Sequence, residues 1–183
     1  MNFKETNLQG VWIIESIPNN DERGFFMRTY DKEAFKNHGL PTDWVQESRA
    51  FSRNKKTIRG LHFLYPPKTE AKLISMLEGE AFWVFLDVRK NSPTLGHWGT
   101  VILRAQEHTA LFFPRGFANG VCTLTDNCHV LYHMDNVYDD NAKGEIKWND
   151  PELGIPWPVQ DPSVISKRDQ EAKSFSSFLD KSG

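Results

Sequence analysis

The run Thr57-Ile58-Arg59-Gly60-Leu61-His62-Phe63 brings a cation, a glycine and a histidine together on a pattern that reads as a strand. Alternation places Arg59, Leu61 and Phe63 on one side and Ile58, Gly60 and His62 on the other. Glycine weakens a strand, and one reason to keep Gly60 is a ligand that comes close to the backbone beside His62. An imidazole facing a cavity can serve as a base; a histidine hydrogen-bonded inside the core is the structural alternative. Lys72 lies in phase with Ile74 and Met76, so it reads either as an inward ammonium that needs an anion partner or as an edge-strand lysine in water. Tyr132, in phase with Val130 and Met134, is either an inward phenol or a core tyrosine whose hydroxyl bonds the backbone. Asp87 continues the face of Trp83 and Phe85, either buried with a cationic partner or at a frayed strand end. In Asp21-Glu22-Arg23-Gly24 the guanidinium fork of Arg23 fits phosphate oxygens, the alternative being a solvated loop charge.

The elements that must position these side chains are mostly strands. Thirteen Phe, six Trp, ten Pro and twelve Gly are spread over short alternating runs separated by turns. Strands are expected over residues 11–15, 25–30, 44–50, 57–63, 71–77, 80–88, 98–104, 109–113 and 129–135. Asp31 is a good N-cap for a short helix that ends near His38-Gly39. After residue 135 the two-residue period fades into ordered, proline-rich segments, and Ser166 caps a C-terminal helix that begins near Lys167. Asp169 in its first turn suits the helix dipole without any catalytic role.

A chain of 183 residues suits one core-forming domain, with no repeat or linker to divide it. Scattered Lys and Arg residues and a net charge of -2 give no footprint for nucleic acid. No apolar run is long enough to span a bilayer and the first residues carry no secretion signal, so a cytoplasmic protein is expected. Cys122 and Cys128 read as free thiols.

Pro114-Arg115-Gly116 leading into a strand is a P-x-G turn of the kind found in cupin barrels, where a metal-ligating histidine follows. Here Asn119 holds that position, and His62 has no second histidine in an H-x-H pair. An amide oxygen is a poor substitute for imidazole on a transition metal, so a metal-dependent cupin is disfavoured.

Several blocks together carry a resemblance: Asp21-Glu22-Arg23-Gly24-Phe25-Phe26, Arg59-Gly60-Leu61-His62, Gly79-Glu80, Asp87-Val88-Arg89, Ser92-Pro93-Thr94, Pro114-x-Gly-Phe-Ala, Trp148-Asn149-Asp150-Pro151, Gly154-Ile155-x-Trp157-Pro158 and Ser166-x-x-Asp169. In this order, over nearly the whole chain, they resemble the dTDP-4-dehydrorhamnose 3,5-epimerase (RmlC-like) family of cupins. The resemblance implies a mainly β, cupin-type jelly-roll barrel with a few short peripheral helices. It spans residues 1–183 as a single domain, with a peripheral helix or tail from about 170 to 183. It also implies a metal-independent, cofactor-free isomerase, and a homodimer that exchanges an N-terminal strand.

Its substrate class is a nucleotide-linked 4-keto-6-deoxy sugar. By similarity, His62 is the base, Asp169 orients its imidazole, Lys72 steadies the enolate oxygen and Tyr132 is the acid on the opposite face. Arg23 and Arg59 fall on or near the diphosphate, Gln46 near the base or sugar, and Tyr138 on the pyrimidine. Arg168 replaces a lysine that often precedes the dyad aspartate. The binding shell departs from the family at Arg28, Ser48, Asn119 and Lys143, where many relatives have Glu, Asn, His and Glu. Two of these swaps reverse charge, so a different sugar or nucleotide is expected, with inversion at C3, at C5 or at both. The alternatives are a sugar-nucleotide 3,4-ketoisomerase and a non-catalytic sugar-nucleotide-binding cupin.

Overall fold

The computed structural model describes residues 1–181. In chain order it contains β1 (Asn2–Glu5), β2 (Trp12–Glu15), β3 (Asn19–Asp21), β4 (Gly24–Phe26), α1 (Lys32–Asn37), β5 (Gln46–Ser52), β6 (Thr57–Leu64), β7 (Lys72–Glu78), β8 (Glu80–Asp87), β9 (Trp98–Arg104), β10 (Thr109–Phe113), β11 (Phe117–Thr123), β12 (Cys128–Met134), β13 (Lys143–Glu145), β14 (Val164–Ile165), α2 (Lys167–Gln170) and α3 (Phe175–Lys181). One sheet runs β1-β2-β10-β7-β12-β5 and the other β13-β6-β11-β8-β9, with β14 added to β6 and β3-β4 forming a separate hairpin. Facing each other, the two larger sheets make a cupin-type jelly roll. No helix among the described residues is long and apolar enough to cross a membrane.

The alternation of β8 shows why the sheets pack this way. Trp83 and Phe85 point between the sheets against Ile74, Leu111 and Phe113. Val84 and Leu86 point outward under Phe63, Leu153, Phe175 and Phe178. Both faces of this strand are covered, so it is apolar on both and its largest side chains are fully buried. On the outer face of the other sheet, α1 lays Phe35 against Ile14, Leu73 and Phe112. That helix begins where Asp31 accepts a bond from the Ala34 N–H and ends before Gly39 in the left-handed region, as its sequence dictates.

Asp87 is fully buried at the end of β8, where its carboxylate takes bonds from Arg89, Ser92 and Thr94. The buried, cation-paired alternative therefore holds. Burial pushes its pKa up, but these bonds outweigh burial and hold it down at about 2.

Two expectations require correction. The strand at 25–30 stops at Phe26, because the Tyr30 hydroxyl bonds the Thr42 carbonyl and its ring packs on Phe35 and Trp44 instead of continuing the hairpin. In β6, strict alternation fails at Gly60. His62 pairs with Asn119 and Arg59 with Val121, so Gly60 and Leu61 oppose Gly120 alone. This β-bulge shifts the phase by one residue. Ile58, Leu61 and Phe63 share the outer apolar face, while Arg59 and His62 both turn inward. Gly60 has φ +114°, and a Cβ there would lie 2.6 Å from the Asn119 carbonyl oxygen. Of the expected C-terminal helix or tail, Phe175–Lys181 is helical, and residues 182–183 lie outside the described residues.

Candidate active site

The bulge sets His62 at the wall of a cavity of about 380 Å³ between the sheets, which Lys72 and Tyr132 also line. Each of these side chains comes from a different strand: β6, the first residue of β7, and β12. Asp169 approaches from behind on α2, a short helix whose Ser166 cap accepts a bond from the Asp169 N–H at 3.1 Å. Its Oδ1 lies 2.6 Å from Nε2 of His62, and its side chain is only 3% exposed against 34% for the imidazole. Burial alone would raise the Asp169 pKa, but bonding to His62, Ser166 and the Gly60 N–H holds it below the ordinary value. A carboxylate accepts only, so Nε2 carries the hydrogen and Nδ1 keeps its lone pair. The dyad thus leaves one imidazole nitrogen able to take a proton.

Lys72 is the inward ammonium, not the edge-strand one: its side chain is 14% exposed, 3.0 Å from Glu70 Oε1 and 3.1 Å from Asn119 Oδ1. A lysine has a further N–H to offer beyond these. Tyr132 packs its ring on Trp83, and its hydroxyl has no hydrogen-bond partner among the described residues. Burial raises the phenol's pKa well above the ordinary tyrosine value, with Arg59 partly opposing the shift. The phenol therefore holds its proton firmly until a developing carbanion or alkoxide draws it away.

The other expected contact residues divide. Gln46, Ser48, Tyr138, Lys143 and Arg168 line the cavity. The Gln46 side-chain oxygen accepts from the Tyr138 N–H at 2.6 Å. Asp140 ties the rim together, taking the Tyr138 hydroxyl at 3.0 Å and the Lys143 ammonium at 2.8 Å. Arg168 is paired with Glu145. Asn119 stands behind Lys72, and Arg59 bonds Ser52 and the Phe51 carbonyl within range of Tyr132.

Arg23 and Arg28 do not reach this cavity within the single chain. Arg23 is paired with Asp21 on the projecting β3-β4 hairpin, and Arg28 faces Asp31 in a separate depression. Sequence reasoning missed Glu70, Asp140 and Glu145. A signal existed for Glu70, which precedes Lys72 by one strand period.

Among the described residues no group of three or more His, Cys, Asp and Glu is placed to hold a metal ion. The donor set does not suit one either: His62 is committed to Asp169, and the Asn119 oxygen already accepts from an ammonium.

The family model for dTDP-4-dehydrorhamnose 3,5-epimerase matches residues 5–177. The chain belongs to this family of isomerases. The family member from Methanothermobacter thermautotrophicus is 39% identical over 173 residues, covering 93% of this chain and 92% of that protein. The Bacillus anthracis family enzyme, solved with TDP and PPi bound, superposes with a TM-score of 0.91 at 38% identity, covering 94% of this chain and 98% of that one. A 3'-monoepimerase from Streptomyces bikiniensis, solved with dTDP-quinovose, superposes with a TM-score of 0.90 at 28% identity, over 97% of this chain and 89% of that one.

Proposed function

We propose that this protein epimerises C3, C5 or both in a nucleotide-linked 4-keto-6-deoxy sugar. The observation that carries the reading is the convergence of His62, Lys72 and Tyr132 on one cavity with Asp169 behind the imidazole. A C4 ketone acidifies the hydrogens on both neighbouring carbons. His62 Nδ1 removes one of them, and Asp169 stabilises the imidazolium that results. The negative charge moves to the C4 oxygen, which the remaining N–H of Lys72 meets. Tyr132 then delivers a proton to the opposite face of the carbon, inverting it. At the mouth, Lys143 and Arg168 supply cations for the phosphates, Tyr138 supplies a flat ring for the nucleobase, and Gln46 and Ser48 supply polar contacts. The reaction needs no cofactor or metal, because Lys72 fills the electrophilic role.

The enzyme acts as a cytoplasmic homodimer in which the exchanged N-terminal segment is the β3-β4 hairpin, since β1 and β2 pair within their own chain, and the partner's hairpin brings Arg23 to the diphosphate. This accounts for Arg23 lying away from its own cavity while Phe25 and Phe26 beside it are 56% and 73% exposed. Incubation with dTDP- and other nucleotide-linked 4-keto-6-deoxy sugars in deuterium oxide tests the reaction. Deuterium at C3 or C5 with the inverted product is expected, and its absence with every nucleotide overturns the proposal. A product with the ketone moved to C3 would identify a ketoisomerase instead.

A further inference from the structure

His62 and Lys72 belong to different sheets. The imidazole comes from β6 in the sheet β13-β6-β11-β8-β9, while Lys72 opens β7 in the other, where the neighbouring β12 carries Tyr132. The chemistry needs these two halves at a fixed separation, because the ammonium must meet an oxygen one carbon away from the hydrogen that His62 removes. Glu70 cannot set that separation. It holds Lys72 at 3.0 Å from only two residues earlier, so it travels with the same segment. Asn119 can set it. On β11 it alternates inward with Phe117 and Val121, is 6% exposed, and stands opposite His62 in the β6-β11 ladder. Its Oδ1 crosses between the sheets to Lys72 Nζ at 3.1 Å. Among the described residues, no other hydrogen bond or ion pair joins the Lys72 ammonium to the sheet of His62.

We propose that Asn119 is a positioning residue, a cross-sheet tie that registers the Lys72 ammonium against His62. This rests on the epimerase reading, in which His62 is the base and Lys72 meets the C4 oxygen. An ammonium only donates, so the amide turns its oxygen toward it. Being neutral, the amide supplies a second acceptor without a second negative charge beside the oxygen where charge develops. With one N–H held from each sheet, the third is left with a single direction. Loss of the amide frees the ammonium to follow Glu70 away from the wall that carries His62.

The test places Asn119→Leu, similar in size but without an acceptor, in the wild-type chain and in a Lys72→Met chain. Each is assayed by deuterium exchange into a dTDP-linked 4-keto-6-deoxyhexose. In the wild-type chain, kcat is expected to fall about tenfold to a hundredfold with KM within about threefold. Added to Lys72→Met, the substitution is expected to change kcat by less than about twofold, since its route to the substrate is already gone. Similar losses in both chains, no loss in the wild-type chain, or a raised KM with kcat kept would each overturn the proposal. Crystal structures of wild type and Asn119→Leu give a readout that needs no activity. Lys72 Nζ is expected to move about 1 Å or more relative to His62, a displacement large enough to cost rate, and an unmoved ammonium overturns the proposal. Where Lys72→Met exchanges too slowly to compare, the crystal structures decide alone. If Asn119→Leu fails to fold by thermal melting, Asn119→Ser, whose hydroxyl is too short to reach Nζ, replaces it throughout. No exchange by wild type removes the epimerase reading, whereas the crystal comparison still decides the tie.

Discussion

His62 and Asp169 stand 107 residues apart in the chain and 2.6 Å apart in space, and that single bond defines which imidazole nitrogen can act. Replacing His62 with Ala removes the base while Lys72 keeps Glu70 and Asn119 and the Tyr132 ring stays on Trp83. Solvent deuterium exchange should then fall by about a hundredfold or more, the ordinary contribution of a positioned proton acceptor. Tyr132→Phe should behave differently. Its ring still packs on Trp83, so removal of the carbon-bound hydrogen continues and label still enters from solvent. Inversion should drop by about a hundredfold, so that NMR shows labelled but uninverted sugar. A parallel loss of label and inversion would place Tyr132 outside the proton delivery step.

At the scale of elements, the β6 bulge decides which way His62 faces. Gly60→Ala must place a Cβ 2.6 Å from a backbone oxygen and 2.8 Å from the Gly120 Cα, at φ +114°. The expected result is a destabilisation of about 1–3 kcal/mol, read as a lower denaturation midpoint, together with loss of exchange as the dyad is displaced. Asp87 at the end of β8 sets an acid limit. Its folded pKa of about 2 lies below the ordinary 3.8, so the stability it supplies is complete above 3.8 and is lost as pH falls toward 2. For this fully buried carboxylate the amount is about 2 kcal/mol. Asp87→Asn should lower the melting temperature at pH 7, and the gap from wild type should close toward pH 2.

The same scale explains what could be read ahead of the structure. The strand runs, the Asp31 and Ser166 caps and the inward faces of β7 and β12 follow from local period and capping chemistry, which neighbours do not alter. The phase of His62 does not, because the bulge exists only where β6 meets β11 in a shifted register. Asp169 carries a purely local explanation as a first-turn acid, and only the long-range motif links it to His62. Arg23 and Arg28 belong to segments whose destination is fixed outside the barrel core.

For the whole molecule, the hairpin predicts complementation between inactive subunits. In a mixed dimer of Arg23→Ala and His62→Ala chains, the cavity of the Arg23→Ala chain keeps its histidine and receives an intact arginine from the partner. Mixing equal amounts of the two variants, each nearly inactive, should restore up to about a quarter of the sites under random exchange of subunits, because half the dimers are mixed and each of those has one complete cavity, measured as the initial rate of deuterium incorporation. No restoration would mean that each chain completes its own pocket.

A two-stranded ribbon hydrogen-bonded to neither larger sheet, with Phe26 largely exposed and Phe25 resting on the His108 ring, has little to hold it in place by itself. Turnover per molecule should therefore depend on how much enzyme is in the tube. Serial dilution should reach a threshold below which specific activity collapses although each barrel remains folded, and light scattering over the same range should show the assembly coming apart.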